Sequence, residues 1–234
     1  MDRSFSRVRA GWITACGLLQ FLFAASTQAR QAAVPAQPFA GVGSDRRVLL
    51  VHGINDSAKS MQWMKRRLEA NGWQVYAISL KPNNASVPFD VMARQLDSFV
   101  TATFPAGEKF DLVAFSMGGL VSRYYIQKMG GHRRVRRFVT ISTPNHGTLW
   151  AWLSGRPGVK QMRPGSDMLQ DLNGDVSKLV PLDYTSVYTP LDLSIVPAMS
   201  SWMPVAHNVA IWVPLHPLMV RFPGPLHAVE RALE

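Results

Sequence analysis

The sequence predicts an α/β fold, a doubly wound and mostly parallel sheet with helices on both faces. Two features carry that prediction. Short apolar runs alternate with amphipathic stretches between Arg47 and Ile141, at the spacing of strand–helix–strand units. Within that alternation, Phe110-Asp-Leu-Val-Ala-Phe-Ser-Met-Gly-Gly-Leu-Val121 passes from an apolar run through one serine and two glycines into a helical pattern. A chain of 234 residues holds one such domain with a full core, and no internal repeat divides it.

Arg47-Val-Leu-Leu-Val51 is a continuous apolar run, as a strand covered on both faces requires. It ends in His52-Gly-Ile-Asn55, and a helical pattern then runs from Ser57 to Ala70, closed by Asn71-Gly72. Trp73 to Leu80 reads as the second strand and Lys81-Pro-Asn-Asn84 as a turn. Pro88 to Phe104 reads as a helix with Val91, Leu96, Phe99 and Val100 facing inward. The strand Phe110 to Phe115, the helix Gly118 to Met129 and a strand at Arg137 to Ile141 follow. Beyond Ser142 the periodicity loosens: Thr143-Pro-Asn-His-Gly-Thr148 is a loop, and residues 149–182 read as a lid or cap insertion with one short helix around Ser166 to Leu172. Within it, the plainer account of Trp150 and Trp152 is that they pack the insertion onto the core. Strands return at Thr185–Tyr188 and Asn208–Val213, and Leu226 to Leu233 forms a last helix.

A serine flanked by small residues where a strand turns sharply into a helix resembles the nucleophile elbow of the α/β-hydrolases. The turn leaves no room for bulk two residues to either side, which is why Ala114 and Gly118 stand there. Alanine in place of the usual glycine is the smallest departure from the motif. The elbow lifts Ser116 clear of the sheet, over a helix N-terminus whose N–H groups favour developing negative charge. A serine that merely caps an ordinary turn is the plainer alternative.

A serine hydroxyl needs a base, and the base an orienting acid. With such an elbow the chain order is serine, then acid, then histidine, on loops after later strands. His216 follows the Asn208–Val213 strand at the edge where Ser116 should lie, whereas His207 precedes that strand and His227 sits in the last helix. Among Asp167, Asp171, Asp175, Asp183 and Asp192, only Asp192 directly follows a late strand; the others fall in or beside the insertion, where capping or solvation accounts for them. Two backbone N–H groups should hold the oxyanion: Met117, after the nucleophile, and Ile54, in the loop after the first strand. His52 reads as a brace for that loop rather than a base.

Val51-His-Gly-Ile54, Ala114-Phe-Ser-Met-Gly-Gly119, Tyr124-Tyr-Ile126 and Tyr188-Thr-Pro-Leu-Asp192 together resemble the small secreted bacterial lipases of the α/β-hydrolase superfamily, over about residues 47 to 216. The resemblance implies Ser116 as nucleophile, Asp192 as acid, His216 as base, and Ile54 and Met117 as oxyanion donors. It implies that His52, Gly53 and His146 border the substrate, and that the chemistry needs no metal or organic cofactor. The expected function is a serine carboxylic-ester hydrolase acting on acyl esters, lipid esters being favoured by the N-terminal export pattern and by Leu149, Trp150, Trp152 and Leu153 in the insertion. An acyltransferase on the same acyl-enzyme and a catalytically silent binding fold are the rivals.

The formal charge is +10. Arg3, Arg7 and Arg9, the apolar run Ala10–Ala25 and small residues before Arg30 describe an export signal at 1–29, with a flexible leader at 30–45 and the catalytic domain at 46–234. An uncleaved anchor is the alternative, for which the apolar run is short; cleavage would remove three arginines and Asp2, lowering the charge by two, and take away Cys16, the single cysteine. The expected setting is therefore periplasmic or secreted, as a monomer without disulfides. The basic surface suits an anionic membrane. No nucleic-acid partner is expected: the densest cluster, His132-Arg-Arg-Val-Arg-Arg137, lies between a helix and a strand without interleaved aromatics and reads as a solvated turn.

Overall fold

The computed structural model describes residues 46–234, so the export signal and leader expected at 1–45 lie outside the described residues. Six strands form one sheet: β1 (Arg47–Val51), β2 (Gln74–Ile78), β3 (Phe110–Phe115), β4 (Val135–Ile141), β5 (Asp183–Tyr188) and β6 (His207–Ala210). Their order is β2-β1-β3-β4-β5-β6, and every neighbouring pair is parallel. The winding reverses between β1 and β3, and open α/β sheets bind ligands outside the carboxyl ends of the strands at such a reversal.

Because successive strand residues point to opposite faces, the continuous apolar runs feed two cores. Leu49, Val51, Leu112, Ala114 and Phe138 face α2 (Phe89–Thr103) and α3 (Met117–Lys128). Val48, Leu50, Val113, Phe115, Val139, Ile141 and Val187 face α1 (Gln62–Ala70) and the C-terminal α6 (Pro223–Leu233). In α2 the buried face is Phe89, Met92, Ala93, Leu96 and Val100. It is rotated slightly from the expected one, so Val91 and Phe99 sit at its margins.

The insertion between β4 and β5 is more regular than its sequence suggests. A 3-10 turn at Leu149–Leu153 leads to α4 (Pro157–Gln161) and α5 (Asp167–Gly174). Proline at the first position of α4 and the Ser166 hydroxyl accepting from Leu169 N at the start of α5 set those boundaries. What packs it onto the first core is Val159, Met162, Met168, Leu169 and Leu172. This corrects the packing account of its tryptophans: Trp150 is 50% and Trp152 58% exposed, and Leu149 and Leu153 beside them are 53% and 78% exposed. A five-residue 3-10 turn presents no helical stripe to the core, and only Ala151 within it is buried.

Arg123 of α3 fastens the insertion. Fully buried, it donates to the Asn145 side chain (3.3 Å), to Leu172 O (2.9 Å) and to Gln127 Oε1 (3.0 Å). Burial pulls its guanidinium down to about 10, since these partners are neutral and compensate desolvation only in part.

Candidate active site

β1 and β3 run side by side with Val51 opposite Ala114, so the loops that leave their carboxyl ends emerge together. At the end of β3 the backbone turns at Ser116 with φ 53° and ψ −124°, a strained conformation for any residue with a Cβ. The turn is held by Ser116 N donating to Ile141 O at 2.8 Å. Gly118 is required there: a Cβ would collide with the carbonyl oxygens of His52 and Val51. Gly119 packs equally closely on Thr143, and a Cβ at Gly53 would stand 3.1 Å from the Ser116 Cβ. The loop after β1 thus lies directly against the elbow.

Two further loops bring in the charged pair. Asp192 follows β5, and its buried carboxylate accepts from Ser194 N and Ile195 N, each at 2.9 Å, through Oδ1. His216 follows β6 and donates from Nδ1 to Asp192 Oδ2 at 2.7 Å. Burial disfavours the Asp192 charge, yet the His216 hydrogen bond and the two amides outweigh it and hold the carboxyl below its ordinary value. Committing Nδ1–H to the carboxylate leaves Nε2 as the basic nitrogen. The His216 ring is tilted against Phe115, the residue before Ser116, with centroids 4.7 Å apart. Among the described residues Ser116 makes no hydrogen bond to His216; bonds of this kind commonly tighten only with substrate.

Ile54 follows Gly53 in the loop packed against the elbow, and Met117 directly follows the serine. Among the described residues, neither of their N–H groups is engaged by a protein acceptor, although both belong to tightly bonded turns. Two free donors beside a strained serine are what an oxyanion requires.

The remaining expected residues fall into place differently. His52 is buried, donates from Nδ1 to Gly53 O (2.7 Å) and accepts at Nε2 from Leu80 N (2.9 Å). Burial pushes its pKa down, so it is a neutral brace that offers a substrate no free nitrogen. Gly53 lines the serine. His146 is exposed and held to Ser200, its N–H donating to the Ser200 hydroxyl at 3.1 Å; no contact joins it to Ser116, Asp192 or His216. His207 lies at the opposite edge, paired with Thr185, and His227 is exposed on α6 beside Glu230.

Sequence reasoning missed Asp56, in the loop after β1. Desolvation raises its carboxyl pKa against the opposing pull of His52, the Ser60 hydroxyl, Arg221 and His216. It also missed the amides of Ser194 and Ile195, although an aspartate followed two residues on by serine signals an Asx turn.

Residues 47–150 match the palmitoyl protein thioesterase family model. The chain is 26% identical over 111 residues to palmitoyl-protein thioesterase 3 of Dictyostelium discoideum, covering 45% of this chain and 38% of that protein. It is 31% identical over 120 residues to the lysosomal thioesterase PPT2 of Mus musculus, covering 49% and 39%. The chain therefore spans well under half the length of these relatives. Among solved structures, the mature lipase BlEst2 of Bacillus licheniformis superposes with a TM-score of 0.67 at 17% identity, covering 86% of this chain and 96% of that one. The shared fold is that of the α/β-hydrolase lipases and esterases.

Proposed function

We propose that this α/β-hydrolase is a serine hydrolase that cleaves acyl esters or thioesters through Ser116, His216 and Asp192. The observation that carries the reading is the 2.7 Å Asp192–His216 pair at the carboxyl edge of the sheet, beside a serine in a strained elbow. His216 Nε2 takes the Ser116 proton as Oγ attacks the acyl carbonyl, and Asp192 stabilises the imidazolium. The N–H groups of Ile54 and Met117 receive the oxyanion. His216 then protonates the departing alcohol or thiol, leaving an acyl-serine. Water, deprotonated by the same nitrogen, releases the acid and restores Ser116. Every proton in this cycle passes through His216, so it needs no metal or organic cofactor.

The relatives named for palmitoyl-protein thioesterase activity and the lipase neighbour support an acyl substrate with a long apolar chain. Export directed by residues 1–29, action as a monomer and a working place at an anionic surface complete the proposal.

The test is hydrolysis of p-nitrophenyl esters from acetate to palmitate, and of palmitoyl-coenzyme A, by the protein and its Ser116→Ala variant. Turnover that falls by about 10⁴-fold or more in the variant supports the reading. Unchanged turnover in the variant overturns it, and the preferred acyl length and leaving atom fix the substrate class.

A further inference from the structure

The 3-10 turn Leu149–Leu153 exposes four large apolar side chains, and a fifth, Leu193, is 70% exposed one residue after Asp192. These are one surface. Trp150 Nε1 donates to Leu193 O at 2.6 Å, Leu149 N donates to Val196 O at 2.9 Å, and the Thr148 hydroxyl donates to Ser194 O at 3.1 Å. With its N–H committed, Trp150 presents only ring to solvent. The surface stands where chain leaves the carboxyl ends of β4 and β5, the edge that holds Ser116.

Its surroundings are basic. The sequence has no Asp or Glu between Asp111 and Asp167, and Arg156, Lys160 and Arg163 follow the turn directly. Arg163 lies over the Trp152 ring at 4.5 Å, while its guanidinium bonds Ala151 O and Ser154 O. Arg156 and Lys160 are exposed. Tryptophan and leucine backed by cations is the composition of a side that enters the headgroup region of an anionic bilayer.

We infer that Leu149, Trp150, Trp152, Leu153 and Leu193 form a docking surface for anionic lipid bilayers, drawn there by Arg156 and Lys160. It deepens the proposed function, naming the face on which an acyl substrate is met, and rests on that reading for its purpose alone. A patch that merely packed the insertion would be buried, and that role belongs to Val159, Met162, Met168 and Leu169.

The test uses the full chain carrying Ser116→Ala, so that docking is read without turnover, and Cys16→Ser, so that one thiol can be placed at will. An environment-sensitive nitrobenzoxadiazole dye goes on Leu153→Cys or, as control, on exposed Lys109→Cys before β3 at the far edge. Each is titrated with vesicles of phosphatidylcholine alone or mixed equally with phosphatidylglycerol. The dye at 153 should shift to the blue with the anionic vesicles and far less with the neutral ones, while the dye at 109 stays unshifted. Arg156→Gln and Lys160→Gln should each weaken the anionic response roughly fivefold, and added salt should weaken it further. Trp152→Ala should weaken it about tenfold. No shift at 153 with either vesicle overturns the inference, as does an equal shift at 109. A lipid-free shift at 153 that grows with protein concentration would assign the patch to a second copy, and one produced by a monomeric ester alone would assign it to the substrate's acyl chain; either overturns the inference.

Discussion

Asp192 shows how much of the proposed site depends on groups set back from the serine. Three donors converge on it, and they keep it ionised in spite of burial. Asp192→Asn would preserve the shape but turn the imidazole to the wrong tautomer, so kcat should fall about 10³- to 10⁴-fold with KM little changed. The carboxyl also has a signature in stability. A depressed native pKa contributes stability above the ordinary value of 3.8 and loses it as pH falls through the lower native one. Asp56, whose carboxyl is raised, contributes in the opposite sense: its share is complete below that same ordinary value and fades as pH rises through its native one. His52, held neutral by burial, favours the native state above 6.5 and withdraws that support on acidification below it. Urea unfolding measured from about pH 7 down to about pH 3 should therefore show a loss of stability that flattens at its acid end in Asp192→Asn and at its upper end in His52→Gln.

At the scale of elements, the elbow was legible because sterics leave it few sequences: a serine at φ 53° needs a small residue two positions on, and Gly118 supplies it. Gly118→Ala should be among the most damaging single substitutions, lowering soluble yield and abolishing turnover together, since its methyl meets main-chain oxygen that cannot retreat. Chain order after the elbow pointed to Asp192 and His216, and the structure brings those two into contact. The insertion was harder to read. Its tryptophans look like core residues by composition, yet they stand outside, while methionines and leucines of its short helices reach the core. Periodicity fails over helices of five and eight residues, too short to show a stripe. Arg123 was equally invisible, because an arginine on a helix next to the site reads as solvated until the chain that buries it is in place. Arg123→Met should cost about 3 kcal/mol of unfolding free energy, by stranding the carbonyl and amide oxygens it satisfies. The loss should be accompanied by faster proteolysis within residues 149–182.

For the whole molecule, the sheet decides where chemistry can occur. Reversal of winding between β1 and β3 opens the carboxyl edge, and the loops after β1, β3, β5 and β6 all deliver their residues to it. The opposite edge holds structural charge instead: Asp111, fully buried, is paired with Arg136 at 2.8 Å. Its substitution by asparagine should destabilise without altering the pH dependence of turnover, a contrast with Asp192 that steady-state assays would show directly. The division follows from topology, of which the alternation of apolar runs made the parallel, doubly wound class readable but not the strand order. What the alternation could not give was the direction of individual side chains at the loops.

The central claim is that Ser116 is an activated nucleophile. Intact-mass and peptide analysis after treatment with a fluorophosphonate tests it most directly. A single adduct on the peptide bearing Ser116, absent in Ser116→Ala and formed at least about a hundredfold more slowly in His216→Ala, is the expected result. Folded protein that stays unlabelled, or that carries its adduct on another serine, would contradict the account.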